Sequence, residues 1–316
     1  MARAYGHGVV AGLRGAVIGS AVWVLTAAMA ATGAVDLTLI DILLVLAPLV
    51  IVPVGLVAAG RTDTPMLVLL RLGAAALTVP ALLADRGAGA GALAVPWLAA
   101  AVWLAVPAAV TWLHRPDLTP GALARLAGAL YLVVGATWLV ASRLGVEPVG
   151  IGEPIVELTA VHFHFAGFAA ALLAARTHEV ASQVTPRWAT AGTLLTIASP
   201  PIVALGFTTG SAPAQIGGAL LLSIGVWIVA ALTLAAVMPL TAGAGAKALL
   251  AISALSVGAP MVLAVFWAAG QHYDVPALDV PAMARIHGTL NAFGFSLAGL
   301  LGWAVRDARE TVTGPA

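Results

Sequence analysis

Two carboxylates and two imidazoles stand close together in Glu153-Pro154-Ile155-Val156-Glu157-Leu158-Thr159-Ala160-Val161-His162-Phe163-His164-Phe165-Ala166-Gly167-Phe168, a run otherwise apolar enough to cross a bilayer. A second polar run follows much later: Arg285-Ile286-His287-Gly288-Thr289-Leu290-Asn291-Ala292-Phe293-Gly294-Phe295. Placing an ionisable side chain inside a membrane helix costs about 3 kcal/mol or more, so such residues are read as functional by default. Carboxyl and imidazole together suit general acid–base catalysis, and the same groups are ligands for a metal ion or haem.

Helical geometry arranges these groups. At 100° per residue, Glu157 and His164 share a face, whereas His162 points about 200° away from His164. On the later helix His287 and Asn291 are one turn apart on one face, and Gly294 lets another backbone come close. Glu157, His164, His287 and Asn291 are therefore the candidate catalytic residues. His162, Arg71, Arg285, Asp41 and Glu153 are candidates for binding substrate or supporting the centre. The ligands available to a metal are His162, His164, His287 and Glu157. Structural roles compete with each of these. Glu157 could serve only as an ion-pair partner of Arg71 or Arg285, and a membrane histidine can hydrogen-bond a carbonyl across a packing seam. Asp36 reads as a helix cap and Asp41 lies one turn inside. Trp97, Trp103, Trp112, Trp188 and Trp303 read as interfacial anchors. Glu147, Asp274 and Asp279 read as solvated loop charges.

The elements that must position these groups are membrane helices. The 316 residues are 61% hydrophobic and 9% charged, far below the roughly one-quarter charged of a soluble domain. Apolar runs of about 20 residues, the length that crosses ~30 Å of hydrocarbon, recur from end to end. They predict an all-α polytopic membrane protein, a single helical domain over 1–316. Its ten spans fall near 12–33, 37–59, 66–84, 93–113, 122–142, 154–175, 188–209, 216–238, 248–270 and 284–304. The first is as long as its successors and lacks a small-residue cleavage site, so it is expected as a retained helix. A net charge of +1 gives no basic surface for nucleic acid, and the absence of cysteine excludes disulfides and thiolate sites.

Charge orients the spans. With the N-terminus inside, Arg3, Arg14, Arg61, Arg115, Arg125, Arg176, Arg187, Lys247, Arg306 and Arg309 lie on the inner side. Only Arg86, Arg143 and Arg285 lie outside, and Arg71 is intramembrane. The positive-inside bias places both termini in the cytoplasm. Prolines 48, 53, 80, 107, 200, 201 and 260 fall within spans and each frees a backbone carbonyl; the Pro200-Pro201 pair is expected to interrupt its helix. His164-Phe165-Ala166-Gly167-Phe168 and Asn291-Ala292-Phe293-Gly294-Phe295 match at equal spacing four spans apart. This suggests a parallel repeat of spans 3–6 and 7–10.

The runs Leu158 to Phe168 and His287 to Phe295, with the H-x-H helix in the middle of ten spans and the H-G-x-x-N helix last, resemble the YndJ-like family of bacterial integral membrane proteins. The resemblance implies a multispan protein of the bacterial cytoplasmic membrane and brings no settled reaction.

Three functions fit the residues. The first is a membrane enzyme that isomerises, cyclises or opens an epoxide in a lipophilic small molecule drawn from membrane lipid. In an outward-facing pocket Glu157 would act as acid, His164 or His287 as base and Asn291 as orienting group; no cofactor is needed. The second is a divalent-metal or haem site on the same histidines. The third is a small-molecule or proton-coupled transporter built from broken helices. Acid–base groups gathered toward one side of the membrane favour the enzyme.

Overall fold

The computed structural model describes residues 2–61 and 63–313, with side chains from 11 to 309. Arg3 and Thr62 therefore lie outside the described side chains. Ten described helices are long and apolar enough to cross a membrane: α1 Ala11–Ala31, α2 Leu39–Ala58, α3 Pro65–Leu83, α4 Ala88–His114, α5 Pro120–Leu144, α6 Ile155–Ala181, α7 Pro186–Thr209, α8 Ala212–Leu240, α9 Ala244–Gly270 and α10 Val280–Arg309. The protein is an all-α polytopic membrane protein, and its helix ends fall within a few residues of the hydropathy breaks.

The chain divides into two compact units. One holds the residues up to Leu113 together with Ala129–His164; the other holds His114–Gly128 together with the residues from Phe165 onward. Both α5 and α6 thus contribute one part to each.

In the first unit α2 is the central helix, with every residue from Asp41 to Ala58 buried. Its sequence, Leu-Ile-Asp-Ile-Leu-Leu-Val-Leu, is apolar on all sides, as a helix surrounded by neighbours must be. Its start is not capped by Asp36. Thr38 is the N-cap, and Asp41 completes a capping box: Thr38 N donates to Asp41 Oδ2 at 2.8 Å while Asp41 N donates to Thr38 Oγ1 at 3.2 Å. Gly19 lets α1 cross against the Leu49 carbonyl of α2; a Cβ there would stand 1.9 Å from that oxygen.

In the second unit α7 and α8 pack as a hairpin through small residues. A Cβ on Gly225 would lie 2.7 Å from Thr196 N, and one on Gly218 would lie 2.9 Å from Val203 N. Pro200 and Pro201 do not interrupt α7, which continues to Thr209. The interruptions fall elsewhere. Helical bonding lapses at Leu77 in α3 and at Val257 in α9, each three residues before a proline that cannot donate, Pro80 and Pro260. Wide π-type turns occur at Ala47–Ile51 in α2, Phe163–Ala169 in α6, Thr233–Val237 in α8, and Ala284–Gly288 and Leu290–Ala298 in α10. The two matched sequences, 164–168 and 291–295, thus both lie in π-type turns. Such turns are uncommon and concentrate where a side chain must be re-aimed.

Candidate functional site

The first unit gathers three carboxyls and two guanidiniums at the outward ends of its helices. Glu153 precedes α6, Glu157 is its third residue, Asp41 is the third residue of α2, Ser142 and Arg143 close α5, and Arg86 precedes α4. Ser142 Oγ donates to Glu153 Oε1 at 2.6 Å, and Arg143 Nη2 donates to Ser142 Oγ at 3.0 Å. Glu153 Oε2 accepts the backbone N–H of Glu157 at 3.1 Å, so one carboxylate both orients Ser142 and caps the first turn of α6. Arg86 Nη2 lies 3.4 Å from Glu153 Oε1 and 3.9 Å from Glu157 Oε2.

Glu157 is the exception among these groups. Its side chain is buried and Oε1 makes no hydrogen bond. Asp41, Arg143 and Glu153 are the charged groups around it, and Asp41 stands within reach of its carboxyl. Arg143, 4% exposed, is the buried counter-charge. A buried carboxyl oxygen without a partner forfeits about 1–3 kcal/mol relative to a satisfied one, so the arrangement is costly to maintain.

His164 shares a helix face with Glu157, but its two ring nitrogens are already engaged. Nδ1 contacts the Ala160 carbonyl at 2.7 Å, and Nε2 accepts the indole N–H of Trp97 at 2.9 Å. The ring is fully buried, and Gly135 on α5 leaves the space it occupies. Trp97, expected as an interfacial anchor, is instead an interior residue with no exposed surface, because its N–H requires this acceptor. His162 points the other way, as the 200° separation requires. It is exposed, and its Nδ1 contacts Leu158 O at 2.6 Å.

Arg71 pairs with neither Glu157 nor the groups around it. Its guanidinium binds Asp63, both side chains being under 10% exposed, and Arg61 Nε also reaches Asp63 at 3.1 Å. Arg61 Nη1 donates to Leu104 O at 3.2 Å. Burial alone would push the Asp63 carboxyl up; the hydrogen bond from Arg71 and the charges of Arg61 and Arg71 outweigh it and hold the group below its ordinary value.

In the second unit His287 Nδ1 contacts the carbonyl of Pro260 at 2.8 Å, and Asn291 Nδ2 lies 3.3 Å from Nδ1 and 3.4 Å from Nε2. Two turns below His287, Gly294 packs against Ser256, one residue before the lapse in α9. The polar face of α10 therefore fits the bend of α9. Arg285 is exposed.

Sequence reasoning missed Arg143, Ser142, Arg86 and Trp97 as members of the site. The signal for Arg143 and Arg86 was their place among the few basic residues on the outer side, close in sequence to Asp85, Glu147 and Glu153; Ser142 carried none. For Trp97 it was an indole N–H in the middle of an apolar helix. Among the described residues, no three His, Cys, Asp or Glu side chains gather in an arrangement that could hold a metal ion.

Comparison with known proteins agrees with this architecture. The uncharacterized membrane protein YndJ of Bacillus subtilis (strain 168) is 29% identical over 205 residues, which cover 63% of this chain and 35% of that protein. The chain thus matches about a third of its relative's length. No solved structure matches. The profile of the YndJ-like protein family matches residues 42–295, from the outer turn of α2 to Phe295 on α10, and the chain belongs to that family.

Proposed function

We propose that the protein is an integral membrane enzyme that acts on a lipophilic small molecule by acid–base chemistry, with Glu157 as the group that exchanges the proton. The observation that carries this reading is the buried, unpartnered Oε1 of Glu157 beside Asp41, with Arg143 and Arg86 supplying opposite charge. A carboxyl so placed can give a proton to an alkene carbon or an epoxide oxygen, and the proton lost from a neighbouring carbon of the substrate restores it. Isomerisation, cyclisation and epoxide opening to an alkene alcohol all balance in this way without a cofactor. Apolar helix walls would shelter a cationic intermediate from water.

In this reading Asp41 and Arg143 tune and position Glu157, and Glu153 holds the first turn of α6. His164 positions the helix, since Ala160 and Trp97 already use both ring nitrogens. His287, with Asn291 to orient it, is the other candidate base, tested in the same assay. The metal or haem reading gains no support from His164, which would have to give up the Trp97 bond to become a ligand.

The test compares lipid-soluble metabolites from cells carrying the wild-type protein, E157Q, D41N, H287Q or no protein. A product that depends on the wild-type protein and is lost in E157Q, with thermal stability retained, supports the assignment. Undiminished product from E157Q refutes it. Accumulation of an unaltered compound in proteoliposomes would replace the enzyme with a transporter.

A further inference from the structure

Two carboxyls meet in the first unit, and their hydrogen bonds make them unequal. Asp41 and Glu157 are each the third residue of a helix, α2 and α6, whose opening turns pack together. The two residues are 9% and 8% exposed, and their carboxyls lie within hydrogen-bond reach of one another. Asp41 is fastened through one oxygen. Its Oδ2 accepts from Thr38 N at 2.8 Å and from Thr38 Oγ1 at 2.7 Å, which leaves Oδ1 for a second partner. Glu157 has no such donors. Among the described residues its Oε1 takes no hydrogen bond, and the Arg86 guanidinium stays 3.9 Å from Oε2.

Two charged carboxylates repel at this range inside a bundle; one proton between them turns the repulsion into an O–H···O⁻ hydrogen bond. The other charged groups beside Glu157 are Glu153, Arg143 and Arg86. Glu153 is already engaged by Ser142 Oγ, the Glu157 N–H and Arg86. The shared proton therefore belongs to Asp41 and Glu157. Two donors on one oxygen suit a carboxylate, which can only accept. A carboxyl oxygen that no donor reaches suits a carboxylic acid, which brings its own O–H. Unequal surroundings of this kind divide two like groups into an acid and a base.

We propose that Asp41 is the catalytic base that works with Glu157, so that turnover begins with Glu157 as the acid and Asp41 as the carboxylate. This rests on the enzymatic reading of Glu157 and goes beyond the tuning role given to Asp41 there. The Glu157 proton adds to an alkene carbon of the substrate; the π pair becomes the new C–H bond and leaves a carbocation at the other carbon. Asp41 then takes a proton from a carbon next to the cation, and that C–H pair becomes the new double bond. The sum is an isomerisation. Glu157 is now the carboxylate and Asp41 the acid, and one proton passing between the two carboxyls resets both without a cofactor. His164 can take neither part, because Ala160 and Trp97 hold its ring nitrogens, and His162 is turned to the other side of α6.

Two measurements on the full chain in neutral detergent test this. The infrared spectrum at neutral pH should contain the carbonyl stretch of a buried carboxylic acid. The band should move when glutamate carboxyls carry a heavy carbon isotope, stay when aspartate carboxyls carry it, and be missing in E157Q. A band that follows the aspartate label, or a wild-type spectrum without the band, overturns the assignment whatever the turnover. Turnover is read by incubating wild type, E157Q and D41N in heavy water with a lipid extract of cells that lack the protein. Wild type should convert one compound, and E157Q should leave it unchanged. D41N, which keeps an acceptor for Thr38, should convert it about a hundredfold more slowly or worse, the least a general base contributes. It should nevertheless place deuterium in the unconverted compound, because Glu157 can add a deuteron and withdraw a proton. A smaller loss in D41N, or a D41N protein that neither converts nor exchanges, overturns Asp41 as the base; inactivity of E157Q then leaves the enzymatic reading standing. Undiminished conversion by E157Q removes that reading and this one together.

Discussion

The indole N–H of Trp97 on α4 donates to Nε2 of His164 on α6 across 2.9 Å, with ring centroids 6.1 Å apart. This bond fixes the tautomer. Nε2 accepts, so Nδ1 carries the proton and donates to Ala160 O. The imidazole thereby ties α6 to α4 through one nitrogen and stays inside its own helix through the other. W97F removes the donor and leaves a buried lone pair unsatisfied, at a cost of about 1–3 kcal/mol. Thermal unfolding in detergent should register that loss, whereas product formation per folded molecule should not change. A W97F protein as stable as wild type would mean that the bond contributes nothing.

Two glycines of α5, seven residues apart, face different neighbours and should respond oppositely to alanine. At Gly135 a Cβ would stand 2.7 Å from His164 Nδ1 and 3.2 Å from Ala160 O, so the ring and its carbonyl partner must both shift. At Gly128 the nearest atoms, Ala171 Cβ and Phe168 O, are 3.4 Å away. Removing a helical glycine is otherwise favourable by about 0.5–1 kcal/mol. G128A should therefore be neutral or mildly stabilising, and G135A destabilising by about 1–3 kcal/mol. Measured unfolding temperatures that rank the pair the other way would contradict the packing described here.

The buried Asp63–Arg71 pair gives a pH dependence whose sign follows from the carboxyl. Asp63 is held below its ordinary value in the folded protein, so its contribution to stability is complete above about pH 4, the unfolded value. The contribution fades as pH falls through the lower folded value. D63N leaves Arg71 buried without its counter-charge, at about 3–5 kcal/mol. The stability gap between wild type and D63N should stay constant from neutral pH to about pH 4 and then narrow. A gap that persists undiminished well below that range would show that Asp63 is not stabilised as a carboxylate.

The spans were legible because hydropathy depends on composition along one segment, and ten apolar runs permit few alternatives. Partnerships between helices were not, because they depend on which faces meet. Arg71 illustrates this: a lone arginine in an apolar helix invited pairing with a distant Glu157. Its partner is Asp63, eight residues earlier, in a break that read simply as a turn. Asp41 shows a milder version. Its place one turn inside α2 was readable, but the capping bond from Thr38 and the approach to Glu157 needed coordinates. The repeat between 164–168 and 291–295 was visible as letters, yet nothing in those letters announced a π-type turn. Glycine and phenylalanine fit an ordinary helix equally well.

The bend in α9 is matched by α10, and that match can be measured as an energy. His287 contacts the Pro260 carbonyl at 2.8 Å, while Gly294 admits Ser256 so closely that a Cβ on Gly294 would lie 2.3 Å from Ser256 Cβ. Neither atom can yield easily: Ser256 sits at the end of a helical segment, and the neighbouring Ser253 Oγ already donates to Phe295 O at 2.7 Å. G294A should therefore cost about 1–3 kcal/mol, the range for overpacking a tight contact. S256G alone should cost less than G294A, since it removes only a small side chain. Together they should be less damaging than the sum, with a coupling energy above ~0.5 kcal/mol, because the second change makes room for the first. H287F, which loses the bond from a half-buried ring to the Pro260 carbonyl and lies two turns away, should add to G294A without coupling. Additive behaviour of G294A with S256G would show that α10 does not rest on the bend, and the fit between its polar face and α9 would lose its physical basis.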